Sequence, residues 1–121
     1  MPSPTNFVFH LARRTEWQGA EQSGTYRGSD QDRADGFLHF STAEQIVESA
    51  RRHRAGEADL LLLRVRAEAL GSALRWEESR NGAQFPHLYG DLEVSAVDRV
   101  DELRLGADDE HVFPADSLSG D

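Results

Sequence analysis

The sequence predicts an α+β domain on a curved, mostly antiparallel or mixed sheet, and three observations carry that expectation. Apolar segments of strand length alternate with helical ones in the order strand, helix, strand, helix, and then several strands. A helix start signal at Ser41-Thr42-Ala43-Glu44 is followed by apolar residues at helical spacing. Leu60-Leu61-Leu62-Leu63-Arg64-Val65 is a nearly continuous apolar run between polar flanks, as a central strand covered on both faces requires.

The elements follow in order. After the Pro-rich start, residues 1–5 are expected to be disordered and residues 6–114 to form one domain, the size that a chain of 121 residues allows. Asn6 to Leu11 reads as a strand, with Phe7, Phe9 and Leu11 on one face and Val8 and His10 on the other. A short helix is expected over about 12–20. The stretch from Gln22 to Asp35 is polar and Gly-rich, and reads as a long loop bearing one buried aromatic, Tyr26. Loops of that length in a compact domain are usually functional or mobile.

Gly36 to Phe40 forms the second strand. Ser41 then caps a helix through the amide of Glu44, and Ala43, Ile46, Val47 and Ala50 give that helix, about 42–54, its apolar stripe. Gly56 ends it, and the central strand follows. Leu74-Arg75-Trp76-Glu77 is a short strand, Asn81-Gly82 a turn, and Phe85-Pro86-His87-Leu88-Tyr89-Gly90 a rigid aromatic loop. Leu92–Val97 and Arg99–Leu105 supply one or two more strands, and residues 115–121 a disordered tail.

Composition narrows the function. A net charge of −9 argues against a duplex DNA partner, since nonspecific affinity for phosphate backbones needs clustered cations. All thirteen basic residues are arginine, which favours planar, bidentate contacts to carboxylates or phosphates. Without cysteine there is no disulfide framework, thiolate nucleophile or Cys-type zinc site. No apolar run approaches the roughly 18 residues of a membrane span, so no membrane partner is expected and a cytoplasmic location is the default.

Three of the five histidines, His10, His39 and His87, sit inside short apolar segments. A neutral imidazole carries one donor and one acceptor, so burial demands partners or a use. His10 and His39 would lie at the ends of neighbouring strands and can converge on one cleft, there to bind ribose hydroxyls, stack on a ring or carry a proton. Each also reads as a hydrogen-bonded core residue. Ser41 and Thr42 open a helix whose free amides can meet an anion, or merely cap it. Tyr89 is either a ligand wall or a core plug, and Glu77, Glu78 and Arg80 are either an anion clamp with a carboxylate or solvated surface. A three-histidine metal site is not expected, because no two histidines lie within four positions and all three have bulky apolar neighbours.

At these segments the chain resembles DUF952, a bacterial and plant family of unknown function. The resemblance rests on Phe9-His10-Leu11, on Asp35 to Thr42 with Gln45, and on Trp76-Glu77 leading to Phe85 to Gly90, and spans roughly residues 6–113. It implies a fold like that of the ADP-ribosyltransferase superfamily, with a split sheet and a cleft between the halves. In that superfamily a first-strand histidine bonds the ribose of NAD, and His10 matches it. A second residue before a helix packs on the nicotinamide, and His39 matches that. The third position often carries a glutamate, where this chain offers His87 and Tyr89; RNA 2′-phosphotransferases also work without it. The resemblance thus implies an NAD, ADP-ribose or phosphorylated-nucleotide ligand and His10 and His39 as catalytic residues; the reading of the residues themselves adds Tyr26, Ser41, Thr42, Glu77, Arg80, His87 and Tyr89 as expected substrate-binding ones. The alternatives are a noncatalytic nucleotide-binding module and a metal-dependent hydrolase.

Overall fold

The structure, a computed structural model, describes residues 7–79 and 82–118. Strand β1 (Phe7–Arg13) pairs antiparallel with β4 (Leu60–Arg66), placing His10 opposite Leu63. On its other edge β4 pairs with β8 (Val97–Leu105), which in turn pairs with β9 (His111–Val112). The central position of β4 follows from its sequence: Leu60, Leu61, Leu62, Leu63 and Val65 are all buried, which only a strand covered on both faces allows.

The two faces have different covers. Leu60 and Leu62 join Phe7, Phe9 and Leu11 under the apolar stripe of α3 (Ala43–His53), to which Ile46 and Ala50 belong. Leu61, Leu63 and Val65 pack with Val8, Ala12, Trp17 and Tyr26 on the opposite side. Alternation along β1 therefore divides its side chains as the sequence predicts. His10 belongs to the second face.

A second sheet has the order β3, β6, β5, where β3 is Leu38–His39, β6 Gln84–Leu88 and β5 Leu74–Glu78. A two-stranded ribbon joins β2 (Thr25–Tyr26) to β7 (Leu92–Glu93). The second sheet meets the first where Phe9 and Ser41 exchange backbone hydrogen bonds of 2.8 Å in both directions. Through that bridge His10 and His39 become neighbours.

Several expectations need correction. The first helix, α1 (Arg14–Ser23), starts two residues later than expected, because Ala12 and Arg13 still pair with Leu61 and Leu60. Helix α3 matches the expected 42–54, but its cap is Thr42 with Gln45, since Ser41 has its backbone committed to the bridge with Phe9. The expected loop over 22–35 contains β2 and a short helix, α2 (Asp30–Asp35), capped by Ser29 and Asp32 and ended by Gly36 at φ +87°. Phe85 to Leu88 is strand, not loop: Pro86 lacks an N–H, yet its carbonyl accepts from the Phe40 amide at 3.0 Å. In the expected tail, Ser117 is buried and Leu118 packs on the core, while Arg80 and Asn81 lie outside the described residues.

Leu62→Ala should lower the unfolding free energy by about 2–5 kcal/mol in urea titration, as buried leucines do. Thr42→Ala should cost about 1 kcal/mol through the lost cap. Unchanged midpoints for both would contradict this assignment of core and cap.

Candidate functional site

The face alternation of β1 buries His10 to 2% exposure, and both of its ring nitrogens are engaged. Nδ1 lies 2.7 Å from the His39 carbonyl oxygen, and since a carbonyl only accepts, Nδ1–H donates. A neutral ring has no second proton, so Nε2 accepts from the Tyr26 hydroxyl at 2.8 Å. Burial pushes the His10 pKa down, against the opposing pull of the Asp32 charge and the His39 carbonyl. Burial, seconded by Asp32, likewise pushes the Tyr26 phenol up and keeps it protonated. The pair is neutral.

Asp32 is the charged centre of the site. It sits on α2 at the third position after the Ser29 cap, where it is 3% exposed. Its Oδ2 accepts from the Ser29 amide at 2.8 Å and hydroxyl at 3.0 Å. Its Oδ1 accepts from the His39 amide at 3.1 Å and from His39 Nδ1 at 2.5 Å. Burial drives its pKa upward, but the bonds from His39, the nearby His10 and the Ser29 amide outweigh that and hold it well below the usual carboxylate range. Gly28, at φ +85°, makes room: a Cβ there would lie 2.3 Å from Leu38 and 2.7 Å from an Asp32 oxygen.

His39 faces the opposite condition from His10. Its Nε2 lies 2.9 Å from Asp35 Oδ2, so with Asp32 on Nδ1 both nitrogens meet carboxylates and both must donate. The hydrogen bond to Asp32, against some desolvation and with help from Asp35, raises its pKa and favours the imidazolium. One half-exposed cationic imidazole therefore stands beside one buried neutral imidazole.

These groups line a cleft of about 730 Å³, together with Ser41, Arg54, Phe85 and His87. Ser41 bonds Ser49 at 3.1 Å, and Arg13 and Arg54, which also line the cleft, share Glu57. Of the residues singled out from the sequence, the fold brings His10, His39, Ser41 and His87 to the cleft. Tyr26 stands behind His10, and Thr42 serves α3 as its cap. Glu77 accepts from the Tyr89 hydroxyl at 2.8 Å and from His87 Nδ1–H at 2.7 Å. Sequence reasoning missed Asp32, Asp35 and Arg54. The spacing Ser29-Asp30-Gln31-Asp32 was the available signal, since it has the form of a capping box ahead of Gly36.

Antiparallel sheets with few helices and a cleft of paired histidines and carboxylates define the class of this protein: an α+β domain with a polar, histidine-centred site. Residues 11–100 match the model of a protein family of unknown function, DUF952, and the chain belongs to that family. It is similar to the crystal structure of protein CC0527 from Caulobacter crescentus, at 46% identity and a TM-score of 0.85, over 88% of this chain and 93% of that one. The solution structure of the same Caulobacter protein aligns at 47% identity and a TM-score of 0.78, over 86% and 90% of the two chains. No curated protein matches the sequence. No helix among the described residues is long and apolar enough to cross a membrane.

Asp32→Asn tests the electrostatics, and its penalty depends on pH. His39 has a raised folded pKa, so its contribution is complete below the unfolded value near 6.5 and is lost as pH rises through the folded one. Asp32 has a depressed folded pKa, so its contribution is present above the unfolded value near 3.8 and is lost as pH falls. The substitution should therefore cost most between pH 3.8 and 6.5, about 1–2 kcal/mol by chemical denaturation, because half-exposure of His39 screens the pair. A penalty that is flat from acid to alkaline pH would contradict the pairing.

Proposed function

We propose that the domain binds a nucleotide-type small molecule, such as NAD, ADP-ribose or a phosphorylated nucleotide, in the cleft beside His39, in the manner of an ADP-ribosyltransferase-like fold. One observation carries the reading. A half-exposed imidazolium, oriented by Asp32 and Asp35, stands in a cleft of about 730 Å³ that also holds Arg13, Arg54 and the ring of Phe85. Each part suits one part of such a ligand: carboxylates and an imidazole N–H for ribose hydroxyls, arginine for phosphate, and an aromatic face for a base. His10 has no ring nitrogen to spare, so in this reading it is a positioning residue that holds the His39 backbone through Nδ1. His39 also has both nitrogens bonded, but the Asp35 carboxylate on its Nε2 is half-exposed and a ligand hydroxyl can take its place, so His39 is the ligand contact and, if a bond is broken, the proton donor.

Binding without chemistry is a second reading, favoured by the same bonds: both nitrogens of His10 and both of His39 are engaged within the fold. Calorimetric titration with NAD, with ADP-ribose and with RNA bearing a 2′-phosphate end separates the outcomes. Heat from at least one ligand is expected, weakened at least about tenfold in His39→Ala, the loss that one charge-assisted hydrogen bond produces. Flat heats for all three would contradict the reading. Intact ligand recovered after prolonged incubation would support binding alone.

A further inference from the structure

His87 supplies something that neither His10 nor His39 has, a ring nitrogen without a partner among the described residues. Strand β6 places its side chain in the cleft wall, where its ring centroid is 5.7 Å from that of His39. Phe37 stacks on the His87 ring at 4.1 Å and 24°, which holds the imidazole plane. Nδ1 lies 2.7 Å from Glu77 Oε1, and Glu77 is itself tied to the Tyr89 hydroxyl at 2.8 Å, with Arg75 4.9 Å over the Tyr89 ring. A carboxylate only accepts, so Nδ1 carries the proton, and in the neutral ring Nε2 is left with its lone pair. Because Nδ1 points at Glu77, outside the cleft lining, the opposite edge of the ring with Nε2 is the one turned inward.

We propose that Glu77 and His87 form an oriented carboxylate–imidazole dyad whose Nε2 accepts a hydrogen bond from a hydroxyl, on the ligand or on a water beside it. The cleft then offers two complementary imidazoles on adjacent strands. His39 donates from both nitrogens, while His87 accepts at one. Glu77 sets the tautomer and Phe37 the plane, so the acceptor is held in position before a ligand arrives. A hydroxyl-bearing ligand such as a ribose meets the acceptor at His87 and, where it replaces Asp35, the Nε2–H of His39 as donor. The dyad deepens the nucleotide reading of the same cleft and rests on it for the identity of the hydroxyl.

Carbethoxylation by diethyl pyrocarbonate, which reacts at an unprotonated imidazole nitrogen, tests the proposal on the intact chain when sites are assigned by peptide mass mapping. At pH 8, His87 is expected to react faster than His10 or His39. Glu77→Gln, at a half-exposed strand position, should slow its reaction by roughly tenfold, because an uncharged acceptor polarises the ring less. Circular dichroism of that variant confirms its fold. A His87 slower than His39, or one whose rate ignores Glu77→Gln, would overturn the dyad. ADP-ribose should protect His87; a reactive, Glu77-dependent His87 that ADP-ribose fails to protect would overturn the nucleotide reading and leave the dyad standing.

Discussion

The buried carboxylate of Asp32 is the constraint on which the site depends. An ionised carboxylate removed from water is tolerated only when its oxygens are satisfied, and Asp32 receives four hydrogen bonds. Two come from Ser29, which fixes the first turn of α2, and two from His39, which fixes the edge of the second sheet. The same charge stabilises the His39 imidazolium and stands 3.8 Å from His10 Nε2. A helix of six residues thus holds its place through electrostatics more than through apolar burial.

Around that charge the protein separates two protonation states over a short distance. Burial against Tyr26 and Phe40 keeps His10 neutral, whereas half exposure between two carboxylates favours the charged form of His39. The bridge between Phe9 and Ser41 makes this arrangement rigid, because it locks the strand bearing His10 to the segment bearing His39. Gly28, lacking a side chain, lets Leu38 and Asp32 pack against its backbone. Fold and site are therefore not separable: the backbone contacts that join the two sheets also set the site geometry.

Much of this was legible in the sequence where a periodic pattern governs the outcome. Alternation split the side chains of β1, the apolar run marked β4 as central, and helical spacing found α3. Ser41 was misread as the cap because the sequence does not reveal that its backbone pairs with Phe9. Helix α2 escaped because five polar residues and a single alanine carry no apolar period, and Asp32 escaped with it, since its burial is created by tertiary contacts with His39. Pro86 pointed to a loop, yet β6 needs only its carbonyl. The convergence of His10 and His39 on one cleft was expected from the sequence, although His10 lies within β1 and not at its end; His87, read as a loop residue, joins them because β6 pairs with β3, and the difference in protonation required the partners to be known.

Nitrogen-15 NMR of the imidazole rings at pH 7 tests the central claim most directly, because ring-nitrogen shifts separate protonated from unprotonated sites. The account predicts a His39 protonated on both nitrogens and a His10 protonated on Nδ1 alone. A His39 with one bare nitrogen, or a His10 carrying its proton on Nε2, would contradict it.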